Sequence, residues 1–172
     1  LRCSETVKPG QIAEELPKDA GQNSISRLDK FRNATGEVPT SELRLSMQKT
    51  MQNNCAVFRT QDVLEEGREL IAKVYNDLPN IGISDRSLIW NTDLIEALEL
   101  DNMMSQAMVT MAGAEQRTES RGAHARDDHP ERDDDNWLKH SIYYAETKEV
   151  SKRDVNYRPK TVQAFQPMVR SY

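Results

Sequence analysis

The sequence of 172 residues predicts a mainly α-helical fold, with a three-helix bundle followed by an extended tail that contains a small β-hairpin. Three long stretches carry apolar side chains at every third or fourth position, which is the spacing of an amphipathic helix. Short connections separate these stretches and no alternating strand pattern interrupts them, so an up-down-up arrangement is expected. The last third is rich in charge and contains two short runs of residues that favour strands.

The N-terminal part predicts a connection and one short helix. Residues 1–23 combine charged and small side chains with two prolines and two glycines, a composition typical of a linker to an upstream domain. In residues 24–34, apolar side chains recur three apart at Ile25, Leu28 and Phe31. This spacing predicts a short helix that joins the bundle.

The three long helices of the bundle are predicted at 40–55, 60–78 and 92–120. The first follows a proline and begins with hydroxyl residues, the second stops at Pro79, and the third has a capping side chain at Asn91. Methionines recur at helical spacing in the third helix, which is typical of core packing. The bundle domain therefore covers residues 24–116, with the end of the last helix extending into the tail.

The tail, residues 117–172, contains little material for a core of its own. From Arg117 to Arg158 there are 19 charged and 11 apolar side chains in 42 residues. Such a composition predicts either disorder or docking against a larger body. Aromatic residues spread along the tail favour docking. A hairpin is predicted from the runs 139–145 and 150–157, and an extended end follows.

Composition excludes several classes of function. A net charge of -5 and a pI near 5.3 argue against a nucleic-acid partner, which would need a basic face. No window approaches the roughly 20 apolar residues of a membrane span. The two cysteines, Cys3 and Cys55, have no metal-binding or disulfide spacing and are interpreted as free thiols.

No pattern in the sequence predicts a cofactor, metal or catalytic site. The seven glycines are too far apart for a dinucleotide-binding loop. His124, His129 and His140 lie near aspartates, but their spacing matches no standard ligand set, and salt bridges are predicted instead. Ser120 and His124 could form a nucleophile and base, yet Gly122 interrupts the helix between them and no orienting third group is identifiable.

Several motifs together resemble one known family. They are ESRGAHARD at 119–127, RDDDNWLKH at 132–140, SELRLSMQK at 41–49, WNTDLIE at 90–96 and RSY at 170–172. In these motifs the chain resembles the flavoprotein subunit of succinate dehydrogenase and fumarate reductase. The resemblance covers nearly the whole chain but only about the last third of the family's subunit. It implies a spectrin-like three-helix domain and a tail that wraps back over a flavin domain.

The resemblance also implies a division of labour within an enzyme complex. The chain would be a structural component of succinate:quinone oxidoreductase, complex II, without catalytic, direct cofactor-binding or metal-binding residues. FAD would be held by a separate upstream chain or domain. The expected partners are that flavin-binding part, the iron-sulfur subunit and the membrane anchor subunits. The expected location is the mitochondrial inner membrane on the matrix side, or alternatively the bacterial inner membrane on the cytoplasmic side.

Two further questions stay open at the level of sequence. The chain is expected to be either a natural split subunit or one piece of a longer polypeptide. Its role is either that of a flavoprotein part or that of a stand-alone helical interaction protein without enzyme activity. If it is a flavoprotein part, Arg121, His124, Arg126 and Arg170 are the candidates for the interface with the flavin domain, because their side chains carry hydrogen-bond donors. The alternative is that these arginines form ion pairs with Asp127, Asp128 and Asp133 on the surface.

Overall fold

The computed structural model describes residues 2–12, 14–165 and 168, and it confirms the mainly helical fold. At its centre, three long helices form the predicted up-down-up bundle. They are α3 (Thr40–Asn54), α4 (Gln61–Asn76) and α5 (Thr92–Gln116). Two shorter helices precede them, α1 (Arg2–Thr6) and α2 (Gln22–Arg32). The one-turn helix α1 lies in the predicted linker and was not predicted.

The apolar stripes of the long helices meet in one core. Leu64 and Ile71 of α4 pack with Leu100, Met104 and Met111 of α5, and all five side chains are fully buried. Burial of each such side chain contributes about 1.5–3 kcal/mol relative to exposure. The methionines of α5 therefore serve as core packing, as predicted.

A glycine sets the distance between the helices. A side chain at Gly67 of α4 would place its Cβ 2.5 Å from Cβ of Asn54 and 2.7 Å from Cε of Met111. These positions belong to α3 and α5, so all three helices approach closely at this level. Only glycine permits this spacing without displacing a neighbour.

A small parallel sheet, which the sequence analysis did not predict, joins the start of α3 to the segment after α4. Strand β1 (Val38–Pro39) pairs in parallel with β2 (Ile81–Gly82). Gly36 and Gly82 allow this pairing, because a Cβ on either residue would collide with backbone of the opposite segment. Two-residue strands show no periodicity, which explains why the pattern was missed.

The tail packs against the bundle as far as its hairpin, which contacts α5. A one-turn helix α6 (Asp134–Trp137) leads into a hairpin of β3 (Lys139–Tyr144) and β4 (Glu149–Asp154). The hairpin was predicted, with each strand one to three residues longer at its C-terminal end. Gln116 Nε2 donates to the Val150 carbonyl at 2.9 Å and ties the hairpin to the end of α5.

The up-down-up order gives the bundle two ends. We call "signature end" the end formed by residues 55–60 and 117–140, and "loop end" the end formed by residues 77–91 and the start of α3. The 25 residues of α5 separate them by about 37 Å, at about 1.5 Å per residue. Within the described ranges, no helix is both long and apolar enough to cross a membrane.

Candidate functional site

The signature end is built by a chain reversal directly after α5. Arg121 N–H donates to the His124 carbonyl at 2.8 Å, and His124 N–H donates to the Arg121 carbonyl at 3.1 Å. Gly122 between them has φ of 60°, a conformation that glycine adopts without strain. α5 was predicted to reach residue 120 and ends at Gln116, because the chain turns here to bring residues 117–126 back over the helix end.

Glu119 lies at the centre of this turn with 0% of its surface exposed. Its carboxylate accepts from Arg121 Nε at 2.7 Å, from the Asp133 N–H at 2.9 Å, and from Arg117. Burial alone would raise the pKa of Glu119, but the hydrogen bonds from Arg121, Asp133 and Arg117 outweigh it and hold the pKa below its ordinary value. The carboxylate is therefore an anion surrounded by donors.

Arg126 is the second buried charge and is 1% exposed. Its guanidinium makes a two-pronged pair with Asp128, with Nε and Nη2 each 2.7 Å from a carboxylate oxygen. It also donates to Oε1 of Gln61 at 2.9 Å and to the Glu115 carbonyl at 3.1 Å. The pairing with Arg126 lowers the pKa of Asp128 far below its usual range. The side chain of Arg126 thus joins the turn after α5 to the start of α4, and it caps the end of α5.

His124 is locked in one neutral tautomer. Arg59 Nη1 lies 2.9 Å from Nδ1 of His124, and because a guanidinium can only donate, Nδ1 must accept. Nε2 then carries the proton and donates to the Arg117 carbonyl at 2.9 Å. Burial lowers the pKa of His124, and the charges of Arg59, Arg126 and Arg117 lower it further, while the Arg117 carbonyl opposes them.

Trp137 closes the signature end from the side of the hairpin. Its ring is buried, and Nε1 donates to Oγ1 of Thr118 at 3.1 Å. The Lys152 ammonium lies 3.3 Å from the ring centroid, and the Arg117 guanidinium lies 5.0 Å from it. Cations are attracted to the electron-rich faces of an aromatic ring, so both contacts with Trp137 are favourable.

The structure brings together three of the four predicted interface residues. Arg121, His124 and Arg126 lie in one cluster, and Arg170 lies outside the described residues. Ser120 does not pair with His124: its hydroxyl donates to the His129 carbonyl at 2.8 Å and accepts from the Arg126 N–H at 2.8 Å.

Sequence reasoning missed three members of this cluster, Glu119, Arg59 and Gln61. Glu119 stands between arginines two residues away on each side, a signal that pointed to ion pairing. Arg59 and Gln61 are 56 or more positions from Arg117 and gave no local signal. The cluster has no metal-site character, since no group of three His, Cys, Asp or Glu residues suited to a metal ion occurs among the described residues.

An apolar surface lies beside the cluster, in the connection between α3 and α4. Val57 and Phe58 face solvent, and Phe58 is 78% exposed. The next residue, Arg59, is fixed by hydrogen bonds from its guanidinium to the carbonyls of Ala56 and Cys55 at 2.7 and 2.8 Å. The Asp127 N–H also donates to the Arg59 carbonyl at 2.9 Å. The backbone next to the exposed Val57 and Phe58 is therefore held in place by the contacts of Arg59 with His124 and Asp127.

Comparison with known proteins gives a consistent result. Residues 44–172 match the family model described as fumarate reductase flavoprotein C-term. The mitochondrial succinate dehydrogenase [ubiquinone] flavoprotein subunit of Oryza sativa is 51% identical over 99% of this chain. The succinate dehydrogenase flavoprotein subunit of Rickettsia bellii is 43% identical over 99% of it. The chain spans 28% of the length of each of these relatives.

The fold agrees with the sequence comparison. A chain of E. coli quinol fumarate reductase superimposes with a TM-score of 0.77 at 27% identity, over 92% of this chain and 28% of the other. The helices and the hairpin described above thus belong to a known architecture. The chain belongs to the succinate dehydrogenase and fumarate reductase flavoprotein family, and it corresponds to the C-terminal part of those subunits.

Proposed function

We propose that this chain is the C-terminal structural part of a succinate dehydrogenase flavoprotein, working within a succinate:quinone oxidoreductase. In that complex, succinate is oxidised to fumarate, and electrons pass to FAD, then to iron-sulfur clusters and quinone. The identity of 51% to a dehydrogenase, against 32% to the Haemophilus influenzae fumarate reductase, supports the dehydrogenase direction. The chain would support this reaction by holding the flavoprotein together.

The described residues do not fit FAD itself. Glycines suited to a phosphate loop are absent from the sequence, and the buried cation Arg126 is already paired within the chain. Glu119 would place an anion beside any phosphate that reached the cluster. The proposal therefore assigns FAD to the flavin-binding part of the subunit, outside this chain.

The observation that carries the proposal is the solvent-exposed Phe58 beside the partly exposed cations of the signature end. Exposed aromatic residues next to arginine are typical of the centres of protein interfaces. Arg121 keeps 28% of its side chain exposed, and His124 is half-buried, so both can contact a partner. Arg126 would support this surface from beneath. Arg170 stays a candidate from sequence alone.

The proposal gives each region a role. Residues 1–23 connect to the flavin-binding part, residues 24–116 form the bundle, and residues 117–172 dock. The further partners are the iron-sulfur subunit and membrane anchor subunits, at the mitochondrial inner membrane on the matrix side or at a bacterial inner membrane on the cytoplasmic side. The mitochondrial and Rickettsia names of the relatives support these two locations. A split subunit and a segment of one polypeptide are both compatible with this role.

The test is to purify the native assembly through a tag on this chain. We expect flavin-bearing polypeptide and succinate-dependent dye reduction to co-purify. Phe58→Ala and Arg121→Ala should lower the flavin content per chain, since each removes a contact from the docking surface. Arg68→Ala is the matched control, because the half-exposed Arg68 of α4 forms an ion pair with Glu115 of α5 at 2.7 Å, away from Phe58 and Arg121 in sequence. Circular dichroism should show unchanged helix content in all three variants.

Full flavin content in both Phe58→Ala and Arg121→Ala would contradict the docking surface. The absence of any flavin-bearing polypeptide would contradict the function as a whole. The size of that polypeptide on a denaturing gel also separates a split subunit from a single chain.

A second function is favoured by one observation. Glu119 and Arg126 find their hydrogen-bond partners within the chain, so the signature end needs no second protein to satisfy its buried charges. This is the behaviour of a stand-alone helical interaction protein. Dye-reduction activity that follows this chain through purification excludes that alternative, and a stable isolated chain with no associated activity supports it.

A further inference from the structure

The loop end carries three consecutive large apolar side chains that face solvent. Leu88, Ile89 and Trp90 all lie in the connection before α5, and Trp90 is 94% exposed. Large aromatic residues are usually mostly buried, and contiguous exposed apolar residues mark interaction sites. This tripeptide is the feature of the loop end that requires explanation.

The loop is held firmly in its exposed form. Asn91 is buried, and its side-chain amide donates to the carbonyls of Asp85 at 2.6 Å and Ser87 at 2.9 Å. The same side chain accepts from the Leu94 N–H at 2.8 Å and so caps α5. Arg32 of α2 donates to the Arg86 carbonyl at 2.7 Å from the other side. The apolar side chains are therefore presented on a fixed backbone.

Trp90 also has an unfavourable backbone conformation. Its φ is 52°, in the left-handed region that bulky side chains rarely adopt. Both the strain and the exposed indole cost free energy in the isolated chain. No contact among the described residues covers the ring.

An acidic cleft of about 590 Å³ lies beside the loop, at the start of α3 and α5. Its lining includes the carboxylates of Glu37, Asp93 and Glu96, and it includes no lysine, arginine or histidine. Among the described residues, no cation forms an ion pair with any of the three.

The cleft also contains a polar group that no described residue satisfies. Thr40 lines the cleft and is 4% exposed, and its Oγ1 has no hydrogen-bond partner among the residues that the structure describes. The N-cap position of α3 is Pro39, and no side chain caps this helix start. A buried hydroxyl normally finds a partner, so Thr40 is an independent sign of an incoming group.

We propose that the loop end is a second docking surface, for a protein whose contact face has an apolar pocket next to a lysine or arginine. Trp90 would enter the pocket, and the cation would enter the cleft between Glu37, Asp93 and Glu96. Charge complementarity identifies this occupant, and a donor on the cation can also satisfy Thr40. A second copy of this chain fits poorly, because a symmetric contact would place acidic clefts near each other.

This surface is separate from the one in the proposed function. The two ends of α5 are about 37 Å apart, so one compact contact does not cover both. A neighbour at the loop end is therefore an additional contact of the bundle. Its existence does not depend on whether the signature end docks onto a flavin-binding part.

A crosslinking experiment in the native assembly identifies the occupant. Ile89→Cys in a Cys3→Ser background gives one accessible thiol among the described residues, because the other cysteine, Cys55, is buried. After labelling with a maleimide-benzophenone probe and irradiation, we expect a crosslinked peptide from another polypeptide with apolar residues next to a lysine or arginine. A crosslink to a second copy of this chain, a crosslinked peptide lacking a cation, or no crosslink would overturn the proposal.

Substitutions test the energetics of the same surface. Trp90→Ala should lower the amount of this partner retained per chain by about 30-fold, as expected for a central interface aromatic. Glu96→Gln should lower retention less and should reduce its dependence on salt. Leu45→Ala, at another exposed apolar position on α3, is the matched control and should change nothing.

Phe58→Ala separates this proposal from the proposed function. It should reduce flavin content while leaving the loop-end partner in place, and Trp90→Ala should do the reverse. If Trp90→Ala leaves the composition of the assembly unchanged at low and high salt, the loop-end surface is refuted whatever Phe58→Ala does.

Discussion

The bundle and the signature end reach the same degree of burial by opposite means. In the bundle the fully buried side chains are apolar, as at Leu64, Ile71 and Leu100. At the signature end the fully buried side chains are charged, namely Glu119 and Arg126. A stretch with few apolar residues therefore becomes ordered by pairing its charges internally, and a count of apolar side chains underestimates its capacity to fold.

Buried apolar side chains and buried charged side chains respond differently to substitution. An apolar contact contributes in proportion to its area, and its loss leaves a cavity. A buried charge has a large desolvation cost that only well-placed partners offset, so removing one partner leaves the others unsatisfied. The signature end should thus be more sensitive to single substitutions than its composition suggests.

The largest effect is expected for Arg126→Met. This change removes the donors to Asp128, Gln61 and the end of α5 while keeping much of the side-chain volume. We expect a loss of about 3–5 kcal/mol in the free energy of unfolding, measured by urea titration. The control is Arg27→Met, whose pair with Asp101 at 2.6 Å is partly exposed, with an expected loss of about 0–1 kcal/mol. Equal losses would show that burial is not what distinguishes the two arginines.

An intermediate effect is expected for Gly67→Ala in the bundle. The added Cβ would lie 2.5 Å from Cβ of Asn54, and overpacking of this kind costs about 1–3 kcal/mol. Gly113→Ala provides the control within α5, because a Cβ there meets nothing within 4 Å. That control should gain about 0.5–1 kcal/mol, since alanine is the better helix former. Thermal unfolding followed by circular dichroism compares them, and a gain for Gly67→Ala would disprove the close approach.

The smallest effect concerns pH and is confined to the signature end. The folded chain lowers the pKa of His124 from its ordinary value of 6.5, so the unfolded chain binds the proton more readily. Stability is then complete above about pH 6.5 and declines as the pH falls below that value. Between pH 7.5 and 5.5 we expect the urea midpoint of the native chain to fall more than that of His124→Gln.

The carboxylates of Glu119 and Asp128 do not contribute to this change of the urea midpoint. The depressed pKa values of Glu119 and Asp128 place their titration below this window, so their loss of stability follows only in stronger acid. An equal fall of the midpoint in both proteins would show that His124 is not the group responsible.

The sequence predicted the regular helical elements well, for physical reasons. The apolar side chains at every third or fourth position of α3, α4 and α5 mark the buried face of each helix. The cap at Asn91 was recognised because its side chain accepts a hydrogen bond from the Leu94 N–H. The hairpin was recognised because β3 and β4 are joined by a short polar turn. In each case the determining interactions are local in sequence.

The features that were missed depend on distant partners. The pairing of β1 with β2 joins residues 43 positions apart, since Val38 lies opposite Ile81. The contact of His124 with Arg59 spans 65 positions. The docking role of Arg121, His124 and Arg126 stays a prediction. The structure places the three in one cluster, and Glu119 and Asp128, which are close to them in sequence, neutralise much of its charge from within.

The uninterrupted length of α5 has a mechanical consequence for any assembly that uses both ends. A helix advances about 100° per residue, so inserting a single residue near its middle would rotate Trp90 by that angle relative to the signature end. The helix therefore fixes both the distance and the relative rotation between its two ends. Neighbours at its two ends are oriented relative to each other without touching.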